Sequence, residues 1–248
     1  MTVILLRHGV STSNTARTLA GRSPGVDLTD QGREQARSIA ARLGELPIGA
    51  IVHSPLLRCT RTVAPLADKL GIEGEPDEQL IEVDYGEWTG RALADLISEP
   101  LWKIVQRHAS GAVFPGGEGL ADVQYRAVAA IRSRDRELAA AHGGDVLWVA
   151  CTHGDVIKSV IADAYGMHLD SFQRIVVEPA SISVIRYTPA APMVWRVNDT
   201  GSDLSALAVT AGHGGERSGP VPGGEVGART SPPPDPDNGS AQRSDAGE

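Results

Sequence analysis

The chain has 248 residues, of which 41% are hydrophobic and two are cysteines, and it carries a formal net charge of −8. That length suits one large domain burying roughly 70% of its unfolded surface without a disulfide or metal staple. The acidic balance argues against nucleic acid or an anionic membrane surface as the main partner, and no apolar run approaches the ~20 residues of a membrane-spanning helix.

In chain order, Val3-Ile4-Leu5-Leu6 is an apolar run too short for a helix and predicts a strand buried on both faces of a parallel sheet. Arg7-His8-Gly9 follows at its carboxyl end, where α/β folds place ligands, with Ser13 and Asn14 in the next loop. Thr29-Asp30-Gln31-Gly32 predicts the start of a helix reaching Leu43, and Ala50-Ile51-Val52-His53 a short buried strand. Ser54-Pro55 predicts another helix, with Ser54 as its cap and Pro55 in its first position, running to Leu70 and ended by Gly71.

A long helix is expected from Leu120 to Ala141, stopping at His142-Gly143-Gly144, before a second buried strand at Val146-Leu147-Trp148-Val149-Ala150. Thr152-His153-Gly154 lies at the end of that strand, so two strand ends each offer an imidazole. A helix from Asp155 to Tyr165 follows, then closing strands at Arg174 to Val177, Ser181 to Tyr187 and Val194 to Val197. This alternation predicts a wound α/β sheet. From about Thr210 the composition turns to Gly, Pro and Ser, so a folded domain over residues 1–205 and a disordered tail over 206–248 are expected. The chain start shows no basic leader region and predicts a cytoplasmic enzyme.

Several signatures fail on inspection. Gly21-Arg22-Ser23-Pro24-Gly25 matches GxSxG, but it follows no strand and Pro24 lacks the N–H an oxyanion hole would need. A cysteine phosphatase loop needs an arginine six residues after its cysteine; Pro65 and Ile157 stand there instead, and Cys59 and Cys151 read as packing residues. Walker A and HExxH strings are absent, and no metal site is expected. What remains is Arg7, His8, Ser13, Asn14, Arg58 and His153, a set that suits a tetrahedral dianion. An imidazole can also attack phosphorus directly, when one ring nitrogen is held by a hydrogen bond and the other carries a lone pair.

Leu6-Arg7-His8-Gly9 with Asn14, Leu28-Thr29-Asp30-Gln31-Gly32 leading to Gln35-Ala36, Ser54-Pro55-Leu56-Leu57-Arg58 with Thr62, Glu82 with Tyr85-Gly86, and Thr152-His153-Gly154 resemble the histidine phosphatase superfamily, the phosphoglycerate mutase-like proteins. The resemblance implies a three-layer α/β/α sandwich with a mostly parallel central sheet. It makes His8 the nucleophile, Arg7, Arg58 and His153 the holders of the phosphoryl group, and Glu82 the proton donor and later base. It also puts Asn14, Ser13, Gly21 and the Gly154 N–H beside the substrate. No cofactor is implied, since arginines and histidines supply the positive charge. The implied partner is a small phosphorylated substrate, with neither nucleic acid nor membrane, and a homo-oligomer is allowed.

The family includes hydrolases and mutases. In the mutase members a lysine follows the Tyr-Gly element by about eight residues, which falls near Leu93, and an arginine pair lies further on; no such lysine stands there, no adjacent arginine pair occurs between Pro100 and Leu120, and Arg91 and Lys103 as substitutes match poorly. The segment ends instead in Phe114-Pro115-Gly116-Gly117-Glu118, similar to the Pro-Gly-Gly-Glu-Ser element of the phosphatase branch, with Gly119 in place of the serine. Glu118 either caps the next helix or meets substrate, and Tyr85, Trp88 and Trp102 either line the pocket or pack, with Tyr85 taken as a substrate contact. The reading is a phosphomonoester hydrolase acting through phosphohistidine on a small metabolite. A phosphoglycerate mutase-type phosphomutase is the alternative, and a catalytically silent phosphate-ligand or phosphoprotein binding module the second.

Overall fold

Side-chain alternation along the central strands decides the architecture. In the computed structural model, which describes residues 1–201, strand β1 (Thr2–Arg7) sends Val3 and Leu5 into one apolar cluster and Ile4 and Leu6 into another. Strand β2 (Ile48–His53) does the same with Ala50 and Val52 against Ile51. A sheet with two buried faces must be covered on both, which is the three-layer sandwich.

After the short α1 (Thr12–Ala16), one layer is built by α2 (Asp30–Leu43) and α3 (Leu57–Leu70), which contribute Ile39, Leu43, Val63 and Leu66 to the core. Strand β3 (Gly74–Pro76) then completes one sheet edge. Two short helices, α4 (Leu93–Leu96) and α5 (Pro100–Arg107), precede the long α6 (Leu120–His142). Strand β4 (Leu147–Thr152) leads into α7 (Gly154–Ala164), and α6 and α7 cover the opposite face with Val123, Ala127, Ile131, Val156 and Val160. The chain closes with β5 (Ile182–Tyr187) and β6 (Pro192–Asp199).

The sheet order is β3-β2-β4-β1-β5-β6. The first four strands are parallel, while β5 and β6 are antiparallel to their neighbours. The parallel pairing of β1 and β4 sets Arg7 opposite Thr152, so His8 and His153 leave adjacent strands on the same rim. The expected mixed α/β architecture is therefore present.

Three local expectations change. Helix α3 starts at Leu57 with Leu56 as its cap, not at Ser54-Pro55; the Ser54 hydroxyl, before the helix, lies 2.8 Å from His153 Nε2 and accepts from the Leu56 N–H at 3.4 Å. Residues 174–177 form no strand: a 3-10 turn over Leu169–Arg174 leads into an irregular segment whose Val177 carbonyl accepts from Arg7 instead of joining a ladder. Strand β3 and helices α1, α4 and α5 were not anticipated. The tail from Thr210 and the boundary at 205/206 lie outside the described residues.

Candidate active site

The site begins where β1 runs out. The His8 backbone N–H donates to the Thr152 carbonyl at 3.1 Å, and its ring Nδ1 lies 2.8 Å from the Gly9 carbonyl oxygen. A carbonyl only accepts, so Nδ1 carries the proton and Nε2 keeps its lone pair. Burial, followed by the charges of Arg58 and Arg7, holds the His8 pKa well below the usual 6.5, so the ring is neutral at neutral pH. The neighbouring turn is tied to α3 through Thr62, whose hydroxyl accepts from the Gly9 N–H at 3.0 Å and donates to the Arg58 carbonyl at 2.7 Å.

Two buried guanidinium groups flank this imidazole. Arg7 donates to the Val177 carbonyl at 2.6 Å and Arg58 to the Gly21 carbonyl at 2.8 Å. The remaining Arg58 terminal nitrogen, Nη1, has no hydrogen-bond partner among the described residues. A buried charged donor left without an acceptor costs free energy unless an anion meets it.

His153 caps α7 from the end of β4, with its ring 5.2 Å from that of His8. Its Nε2 is 2.8 Å from the Ser54 hydroxyl, while its buried Nδ1 has no hydrogen-bond partner among the described residues and lies 3.8 Å from a Glu82 oxygen. If Ser54 donates to Nε2, the proton sits on Nδ1 and points the donor into the site. Burial, then Arg58, His8 and Arg7, depress the His153 pKa well below its ordinary value.

Glu82 is 4% exposed and accepts from the Val83 N–H at 2.9 Å. Burial and then the Asp155 carboxylate raise its pKa to about 7, against the opposing pull of Arg58 and Arg7. A carboxyl that titrates there can give a proton and take one back near neutrality.

The loop carrying Glu82 is strapped to residues 114–118. The Glu118 N–H donates to the Asp84 carbonyl, the Glu87 N–H to the Pro115 carbonyl, and the Asp84 N–H to the Glu118 carboxylate, all at 2.8–2.9 Å. The two backbones approach so closely that a Cβ on Gly86 or Gly117 would run into the opposite chain, which is why both are glycine. Arg22 and Arg126 both donate to the Glu82 carbonyl, and both pair with Glu118 at 2.7 and 2.9 Å. Glu118 therefore anchors the Glu82 loop instead of capping α6, whose cap is Gly119 with no side-chain bond.

Asn14 and Ser11 form a capping box for α1, with the Asn14 Oδ1 accepting from the Ser11 N–H at 2.9 Å, so its NH2 is the end left to donate. The Ser13 and Ser11 hydroxyls lie 2.9 Å apart. Gly21 takes φ +49° and supplies the carbonyl that holds Arg58. Gly154 opens α7, where first-turn amides have no intrahelical acceptor.

Tyr85 corrects the expectation of a substrate contact: it is fully buried, donates to Asp155 at 2.8 Å and packs edge-on against Phe114 at 4.9 Å. Trp88 lies between Phe114 and Trp102, which is packing. Among the described residues no group of three or more His, Cys, Asp or Glu is placed to hold a metal ion. Cys59 and Cys151 are buried and unbridged. The sequence reading missed the Ser54 contact, Arg22, Arg126 and Asp155; Asp155 alone had a local signal, beside His153-Gly154.

The sequence profile of the histidine phosphatase superfamily, branch 1, matches residues 3–200. A bifunctional protein of Mycobacterium tuberculosis is 32% identical over 203 residues, which are 80% of this chain and 54% of that protein; the chain thus spans about half of that relative's length. A probable phosphoglycerate mutase of Erwinia tasmaniensis is 29% identical over 214 residues, covering 84% of this chain and 96% of the relative. Among solved structures, mycobacterial glucosyl-3-phosphoglycerate phosphatase superposes with a TM-score of 0.71 at 25% identity, over 79% of this chain and 98% of that one. The profile spans every strand of the sheet and both histidine-bearing strand ends, and the chain belongs to the histidine phosphatase superfamily, branch 1.

Proposed function

We propose that this chain is a phosphomonoester hydrolase working through a phosphohistidine on His8, with the activity residing in residues 1–205. The observation that carries the reading is a pair of buried nitrogens, Arg58 Nη1 and His153 Nδ1, left without hydrogen-bond partners among the described residues beside a neutral imidazole whose Nδ1 is held by the Gly9 carbonyl. A phosphoryl group satisfies both donors at once.

In the first step His8 Nε2 attacks phosphorus, the phosphorus–oxygen bond to the leaving group breaks, and the protonated Glu82 gives its proton to the departing oxygen. Arg7, Arg58 and His153 stabilise the charge on the equatorial oxygens, with the Asn14 NH2 and the Gly154 N–H as further donors. In the second step Glu82, now a carboxylate, takes a proton from water; the oxygen attacks phosphorus, the phosphorus–nitrogen bond breaks, and inorganic phosphate leaves.

The substrate class is a small phosphorylated metabolite. This is supported by the arginine-lined site and by the phosphatase name of the structural neighbour. The cytoplasm, where such metabolites occur, is the location that goes with this reading; no helix among the described residues is long and apolar enough to cross a membrane.

A panel of phosphomonoesters with free phosphate as the readout tests the proposal. Hydrolysis is expected, without exchange between 2- and 3-phosphoglycerate. Exchange stimulated by the bisphosphate would replace the proposal with the mutase reading, and ligand binding with no turnover between pH 4 and 8 would replace it with the binding-module reading.

A further inference from the structure

Away from His8, a cleft of about 850 Å3 opens between α5 and the 3-10 turn Leu169–Arg174. That volume suits a small organic ligand. Three exposed cations line it, Lys103, Arg107 and Arg174, and none has a carboxylate partner among the described residues. Lys103 and Arg107 stand four residues apart on one helix, where like charges oppose each other unless an anion comes between them. The one carboxylate in the lining, Asp170, is already engaged: it accepts from the Ser110 N–H at 2.9 Å and lies 3.0 Å from the His108 ring.

Gln173 adds a buried donor to the cleft. It is 7% exposed, and its Oε1 accepts from the Lys158 ammonium at 3.1 Å. An ammonium has only donors, so this contact fixes the orientation of the amide, and the Nε2 then stands buried in the lining with no hydrogen-bond partner among the described residues. On the opposite wall, half-buried Trp102 stacks on Trp88 at 6.3 Å and is held as a rigid platform. Both walls lead back towards the catalytic acid. Lys158 stands 3.7 Å from Asp155, which accepts from Tyr85, and Trp88 reaches Tyr85 through Phe114.

We propose that this cleft is a second anion site, binding a phosphate or carboxylate group of a small organic molecule through Lys103, Arg107, Arg174 and the Gln173 amide. Two sources share this chemistry, the far end of a doubly anionic substrate and a separate effector. The proposal stands on the cleft and does not depend on hydrolysis at His8.

Calorimetric titration of inorganic pyrophosphate into the full chain, with the His8 site saturated by orthovanadate, tests it. One pyrophosphate per chain is expected, with affinity reduced at least about tenfold in a Lys103→Ala/Arg107→Ala/Arg174→Ala variant, since each lost charge-assisted bond weakens binding severalfold. Arg33→Ala/Arg37→Ala, a control on the exposed surface of α2, should bind as the wild type does. Absence of binding to the vanadate-saturated protein, or unchanged affinity in the triple variant, overturns the proposal. In the same variant, a drop in kcat/KM for 3-phosphoglycerate but not for 4-nitrophenyl phosphate assigns the anion to the substrate. Lost pyrophosphate binding with both kcat/KM values intact assigns it to an effector.

Discussion

The ends of β1 and β4 carry the same side chain and prepare it in opposite ways. At β1 the backbone does the work: the Gly9 carbonyl pins His8 Nδ1 and leaves Nε2 as a lone pair. At β4 a side chain does it: the Ser54 hydroxyl occupies His153 Nε2 and leaves Nδ1 facing Glu82. A pinned Nδ1 makes an attacking nitrogen, whereas an occupied Nε2 makes a donor. The two rings differ in chemistry although both are buried and both have depressed pKa values.

Breaking the proton path is expected to have the largest effect after loss of the nucleophile itself. Glu82→Gln should lower kcat/KM by on the order of 10²–10⁴, the usual weight of a positioned acid. The pH profile checks the cause. In the wild type, kcat/KM should fall as pH rises through about 7, where Glu82 loses its proton. In the Gln variant that descending limb should vanish.

Arg58→Ala removes an orphaned donor whose charge acts on both rings and should cost on the order of 10²–10³ in kcat, by analogy with deletion of one oxyanion donor. The His8 pKa should rise as well, because the Arg58 charge is one of the influences holding it down. Titration by NMR reads that shift, and an unmoved His8 pKa would contradict the proposed electrostatics.

A smaller effect is expected at the partner of the second histidine. Ser54→Ala leaves His153 Nε2 without its hydroxyl and should reduce kcat/KM by roughly fivefold, the factor that corresponds to losing a hydrogen bond worth about 1 kcal/mol. Ser54→Thr should restore most of it. An equal loss in both variants would mean that Ser54 acts through folding, not through the imidazole.

The subtlest test uses Asp155, a positioning residue whose carboxylate raises the pKa of Glu82. Asp155→Asn removes that charge, so the Glu82 pKa falls and the descending limb of kcat/KM should move to lower pH. A limb that stays in place would show that the Asp155 carboxylate does not raise the proton affinity of Glu82.

The contrast between the strand ends also explains what could be read from sequence. The strands were legible because Val3 to Leu6 and Val146 to Ala150 are continuous apolar runs, and only a sheet covered on both faces accommodates them. His8, Arg58, Glu82 and His153 were legible because each sits in a short local block. Ser54 was misassigned because Ser-Pro before a helix fits a cap equally well; only the fold brings His153, 99 residues away, to its hydroxyl. The Arg22 and Arg126 contacts to the Glu82 carbonyl span 60 and 44 residues and leave no periodic trace. Residues 174–177 resemble a strand by composition, yet a strand needs a free ladder edge, and that backbone is turned towards Arg7. As an aromatic beside Gly86, Tyr85 fits a pocket wall or the core by sequence, and burial with the bond to Asp155 decides for the core.

The central claim is that the imidazole at the end of β1 takes the phosphoryl group. Rapid quenching of the protein with a labelled phosphomonoester, followed by mass-spectrometric mapping, tests this most directly. The account predicts label in an acid-labile, base-stable bond on His8, and neither label nor turnover in His8→Ala. Label on another residue, or full activity in His8→Ala, would contradict it.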